Sequence, residues 1–204
     1  MKYTLIFLYL LVGFVPYFGT IDTIGSQWFY LSILNIISII YLTYIKSNFF
    51  NFLLKISRDR FVFFYLLFIS FCLISLIFSN NFSLSVVDIS RVFTTFFVFA
   101  IIAFLLSEIK FYYLAVLISI VLFSEIVYSY FPLIEFLKSY SFFEIDFNTI
   151  PNSLRGVTGN KNVLASNIAF KLPFVFYVIS KSKLLYKSFG FILVFMTFIT
   201  LIFV

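Results

Sequence analysis

Apolar segments long enough to cross a bilayer constrain this chain more than any other feature. A spanning helix needs about 20 mainly apolar residues, with a range of about 17–25. Seven segments approach or meet that length, at residues 3–18, 28–45, 61–78, 92–106, 111–131, 163–180 and 189–204. Only short polar connections separate most of them. Of the 204 residues, 63% are hydrophobic and 11% charged, with a mean hydropathy of +1.15. An ordinary soluble domain carries about 25% charged residues. A soluble globular domain, a disordered chain and a disulfide-stapled module are therefore excluded. The expected fold is all-α: a polytopic membrane helix bundle with about seven transmembrane helices, forming a single transmembrane domain over residues 1–204. No A-x-A-type cleavage site follows the first segment, so it reads as an uncleaved helix. The last segment stops in mid-run at Val204, which predicts that this stretch is the N-terminal part of a longer bundle.

The net charge of +6 is a matter of topology rather than of nucleic-acid binding. With the N-terminus inside, the inner connections hold Lys2, Lys46, Lys55, Arg58, Arg60, Lys110, Lys181, Lys183 and Lys187. The outer connections hold Arg91, Lys138, Arg155 and Lys161. This excess of inner cations predicts a cytoplasmic N-terminus. Residues 48–60 (NFFNFLLKISRDR) mix apolar and basic side chains, as a segment lying along the inner surface would. The longest outer connection, 132–162, begins with aromatic and charged residues and ends in the polar stretch NTIPNSLRGVTGNKN.

Charge inside hydrocarbon is costly, from about 2.5 kcal/mol to well over 10 for a lone group. Glu125 and Lys171 are the two charges that fall well within spans. At about 1.5 Å per residue, Glu125 lies about 9 Å below the outer end of its span and Lys171 about 12 Å below the outer end of the next. Consecutive spans are commonly neighbours, so the two can pair. A structural ion pair and a functional one fit this placement equally.

The stretch Arg155-Gly-Val-Thr-Gly-Asn-Lys-Asn162 leads into the sixth segment. Gly156 and Gly159 let consecutive backbone N–H groups face one way, and Asn160 or Asn162 can cap the helix. The helix start adds free N–H groups and a positive dipole end. Arg155 brings a planar fork suited to phosphate oxygens, and Lys161 a point charge. Together these describe an anion site at the outer surface, although a glycine bend and an asparagine cap also make an ordinary turn. Asn160, Asn167 and Lys171 follow at spacings of seven and four, on one helical face. Pro173 frees the carbonyl of Ala169 and kinks the helix just below. Arg91, three residues after Asp88, enters the fourth segment from the same outer side, where it serves either as an interfacial anchor or as a further cation of the site.

Several chemistries have no residues here. The chain has no histidine, and its single cysteine, Cys72, permits no internal disulfide. There is no P-loop, G-x-G-x-x-G, paired-cysteine spacing or Asp-x-Asp, so neither a metal, a cofactor nor an inner-side nucleotide-sugar donor is expected. The 34 phenylalanines and 14 tyrosines are read as lipid and helix packing.

The segment RGVTGNKNVLASNIAFKLPF, residues 155–174, resembles the one that opens the membrane domain of the O-antigen ligase and O-antigen polymerase (Wzy-type) superfamily. Members show Arg-Gly, then Gly-Asn-x-Asn, then small residues and a proline within a spanning helix. PYFGTIDTIGSQWFYLSILNIISIIYL, residues 16–42, looks like the N-terminal helices of a ligase-like branch. The resemblance implies a multi-pass protein of the bacterial inner membrane that takes glycan from an undecaprenyl-diphosphate carrier at the periplasmic face. It implies transfer to lipid A-core, another glycan or a protein, in surface polysaccharide or lipopolysaccharide biosynthesis, without a metal. Arg155 and Lys161 match the family segment and are expected to hold the diphosphate. Lys171 lies in the matched helix, and Arg91 joins from topology. The family's large periplasmic loop and its acceptor-activating histidine fall outside this sequence, so this stretch alone is expected to be inactive, with its acceptor unidentified. The other readings are a small transporter or flippase-like protein, with Glu125 and Lys171 on a solute path, and a non-catalytic membrane subunit.

Overall fold

The computed structural model describes residues 1–15, 24–45, 47–139 and 161–203. Among these, the chain is helical throughout, with no strand. Five helices are long and apolar enough to cross a membrane: Gly25–Tyr44, Arg60–Phe78, Phe82–Ser107, Phe111–Phe131 and Asn162–Lys181. Two shorter apolar helices, Lys2–Phe14 and Tyr186–Ile202, coincide with the first and last apolar segments of the sequence. The chain thus has the character of a multi-pass membrane protein. Its described residues gather into two compact units, Met1–Glu108 and Ile109–Val204.

The first unit holds α1 (Lys2–Leu10), continued by a short tight turn of helix at Leu11–Phe14, then α2 (Gly25–Tyr44), α3 (Phe49–Ile56), α4 (Arg60–Ser75) and α5 (Phe82–Ser107). Helix starts follow their capping residues. The Asp59 carboxylate accepts from the Phe61 N–H at 2.9 Å and opens α4. The Asn81 side chain accepts from the Leu84 N–H at 3.2 Å and opens α5. Because that cap sits at residue 81, α5 starts well before the expected boundary at residue 92. Asp88 and Arg91 lower the local hydropathy without breaking the helix, so both lie within α5 rather than ahead of it. The short α3 falls inside the expected surface segment. It buries Phe49 against Phe104 of α5 with ring centroids 5.4 Å apart, and leaves Lys55, Arg58 and Arg60 exposed.

The second unit holds α6 (Phe111–Ser139), α7 (Lys161–Lys181) and α8 (Leu184–Phe203). α6 continues past the expected end of its span at residue 131 and takes in the first residues of the connection at 132–162. Leu122 and Ile126 of α6, Leu164, Ile168, Val175 and Ile179 of α7, and Leu193 of α8 form its core. The turn between α7 and α8 is tight, and Gly190 allows the two helices to approach closely. A Cβ at that position would fall on the Ile179 side chain. Small residues at a crossing bring membrane helices together in this way. Large apolar side chains remain outward on both units, among them Phe61, Phe71, Phe191 and Phe195, as expected where the surrounding medium is lipid.

Candidate functional site: a buried ion pair between two helices

Glu125 sits midway along α6 and Lys171 midway along α7. The Lys171 ammonium donates to Glu125 Oε1 at 2.5 Å. The carboxylate side chain is 8% exposed and the lysine side chain 18%. The depth match inferred from the sequence therefore corresponds to direct contact. One turn on from Glu125, Ser129 donates to the Glu125 backbone carbonyl at 2.7 Å, so its hydroxyl is spent on the helix itself. The other carboxylate oxygen, Oε2, is buried and has no hydrogen-bond partner among the described residues. A buried charged oxygen without a donor is uncommon, since its desolvation is not repaid locally. The pair thus fixes α6 to α7 and leaves one acceptor still unsatisfied.

Lys161 is the first described residue of α7. Arg155, Gly156, Gly159 and Asn160 lie outside the described residues. Asn162 is in the first turn of α7, where its backbone carbonyl accepts from Ser166 at 2.9 Å. Asn167 is half-buried on α7, one turn before Lys171, and Pro173 lies within the helix two residues beyond it. Arg91 belongs to the first unit, where its Nη1 lies 3.5 Å from Asp88 Oδ1, one turn earlier on α5. Glu125, Lys161, Asn162, Asn167, Lys171 and Pro173 all belong to the second unit. No group of three or more metal-ligating side chains occurs among the described residues.

One polar cluster escaped the sequence reading. In the first unit the Tyr9 hydroxyl lies 2.8 Å from Asn35 Oδ1 and 3.2 Å from Ser38 Oγ. The phenol has one proton. It donates to the amide oxygen, and the Ser38 hydroxyl is then placed to donate to it. Asn35 Nδ2 donates to the Thr94 carbonyl at 3.1 Å, so this network ties α1, α2 and α5 together. Ser32 Oγ donates to the Trp28 carbonyl at 2.9 Å, which makes Thr94 the donor in the 3.0 Å contact between the two hydroxyls. The signal was present as Asn35 and Ser38, one turn apart within an apolar segment. Every group in this cluster is satisfied within the protein, which marks it as a fastening rather than a ligand site.

No family model, curated protein or solved structure matches the chain.

Proposed function

We propose that this chain holds the diphosphate of an undecaprenyl-diphosphate-linked glycan at the periplasmic face of a bacterial inner membrane, as the donor-binding part of an O-antigen ligase-like or polymerase-like glycosyltransferase. In this reading the chain crosses the membrane seven times with its N-terminus in the cytoplasm. The resemblance of residues 155–174 to that superfamily supplies the idea. The observation that carries it is the contact of Lys171 with Glu125, which clamps to α6 the helix that the motif leads into. A diphosphate is recognised by cations and by N–H groups aimed at one place. Arg155 grips phosphate oxygens with its fork, Lys161 adds charge, and the helix start supplies donors and a positive dipole end. During glycan transfer the diphosphate leaves with the electron pair of the broken glycosidic bond, so the same cations stabilise the charge that develops there. Lys171 stands two to three turns below and, paired with Glu125, sets the rotation of α7. Arg91 is a further cation on the outer side in this topology. The acceptor in this reading is lipid A-core, another glycan or a protein.

The unsatisfied Glu125 Oε2 favours one second reading, in which Glu125 and Lys171 line the path of a solute or lipid through a transporter or flippase. Arg155→Ala and Lys161→Ala in the native gene separate the two. Donor binding predicts loss of long-chain surface glycan with carrier-linked glycan accumulating, while the protein stays in the membrane at its usual level. Normal glycan in both variants would remove the glycosyltransferase reading and leave a non-catalytic subunit. Loss of solute or lipid movement in Glu125→Gln, with normal glycan, would favour transport.

A further inference from the structure

The other end of α7 bears a second basic surface, about 30 Å along the helix from Lys161 at 1.5 Å per residue. A recess of about 440 Å³ is lined there by Tyr112, Tyr177, Lys181, Ser182, Lys183 and Tyr186. Through Tyr112 and Tyr186 it adjoins a half-open groove of about 760 Å³ running between α6, α7 and α8. The groove walls are mainly apolar, with Val116, Ile120, Val175, Val178, Phe189 and Ile192 among them. Lys181 and Lys183 are exposed at the recess, and Lys187 lies one turn along α8 from Lys183. Lys110 immediately precedes α6 at the same end, where Phe111 packs on Tyr177. The acidic side chains of this unit that the structure describes, Glu125 and Glu135, lie at the middle of α6 and beyond it, away from this end. Glu108, the acidic residue that precedes α6 in the chain, is engaged by Lys2 at 2.7 Å. Among the described residues of their own unit, the lysines therefore have no carboxylate beside them.

The Tyr112 and Ser182 hydroxyls lie 3.1 Å apart. Two hydroxyls carry two protons, and one proton serves the contact between them. The second remains to donate to an oxygen in the recess. Cations and a hydroxyl donor at one end of an apolar furrow match one kind of molecule: a headgroup phosphate with an acyl chain attached. Basic pockets between membrane helices bind anionic lipids in this manner. We propose that the recess and groove of the second unit form a site for an anionic phospholipid, its phosphate on Lys181 and Lys183 and one acyl chain along Val116, Ile120 and Val178. The site is separate from the diphosphate site and stands whether or not that reading holds.

Brominated lipids quench a nearby tryptophan and so report lipid contact at a chosen place. Trp28 is the sole tryptophan, so Trp28→Phe gives a silent background. Phe189→Trp then reports from the groove, and Phe71→Trp, on an exposed face of α4, reports general lipid contact. Vesicles would contain phosphatidylcholine with brominated phosphatidylglycerol, or the reverse, with matched chains. At F189W, brominated phosphatidylglycerol should quench preferentially, with an association constant at least about fivefold that of phosphatidylcholine, since each lysine near an anionic headgroup is worth about that factor. F71W should show no preference. Lys181→Gln or Lys183→Gln should each lower the preference at F189W about fivefold, and 0.5 M salt should weaken it. Circular dichroism would confirm that each variant remains helical, and Ser182→Ala, which keeps the charge, provides a milder second probe of the headgroup. Equal quenching by both lipids, the same preference at F71W, or no quenching at F189W because protein fills the groove would each overturn the proposal.

Discussion

At the scale of single residues, the Glu125–Lys171 contact governs what the second unit tolerates. Removing one member of a buried pair costs more than removing both, because the survivor keeps its charge in an apolar setting. Lys171→Met should destabilise the protein by about 3 kcal/mol, whereas Glu125→Gln combined with Lys171→Met should recover most of that loss. Reversible unfolding of all three variants in one detergent checks the order. A double variant no better than Lys171→Met would show that the pair does not act as a unit. The sequence made this contact legible for a simple reason: two charges in adjacent apolar segments at matched depth have few other ways to be neutralised. It did not disclose that Glu125 Oε2 would find no donor among the described residues, since that depends on side-chain directions. Tyr9, Asn35 and Thr94 were harder to read because tyrosine, asparagine and threonine are individually unremarkable in a spanning helix. Asn35→Leu leaves the Tyr9 hydroxyl without its amide acceptor and should cost about 1 kcal/mol in the same assay.

At the scale of elements, hydropathy located the long helices and most of their ends, and missed the start of one. α5 begins at Phe82, about three turns before the expected boundary, because a capping asparagine defines a helix start and a hydropathy window does not register it. The apolar span of α6 ends at Phe131 as expected, while the helix itself runs on to Ser139 through charged residues. Close approach of α7 and α8 depends on a single absent methyl. Gly190→Ala should destabilise the protein by about 1–3 kcal/mol by driving a Cβ into Ile179, and Ile179→Ala should restore part of it. Thermal denaturation of the two single variants and the double variant tests this. Additive losses would mean that the two positions are not in contact. The sequence offered Gly190 as one glycine among six, with nothing to mark it as the crossing point.

At the scale of the whole molecule, membrane character was plain from composition, and five helices of sufficient length and apolarity agree with it. The bias of lysine and arginine among the connections goes further and proposes an orientation. With Cys72→Ser as background, single cysteines at Ser57 and Ser182 should react with a membrane-impermeant maleimide only after the membrane is opened. One at Ser79 should react in intact cells. Labelling of position 182 in intact cells would reverse the second unit and move the lysine recess to the outer face. The proposed donor site was legible only as a motif, and its Arg155, Gly156 and Gly159 lie outside the described residues.

The most direct test of the account is carrier binding by the purified full chain in nanodiscs, titrated with undecaprenyl diphosphate and competed with undecaprenol. The account predicts saturable binding that undecaprenol does not displace and that Arg155→Ala or Lys161→Ala weakens about tenfold, the worth of one charge-assisted contact to phosphate. Equal affinity for the diphosphate and the bare alcohol, or unchanged binding in both variants, would contradict it.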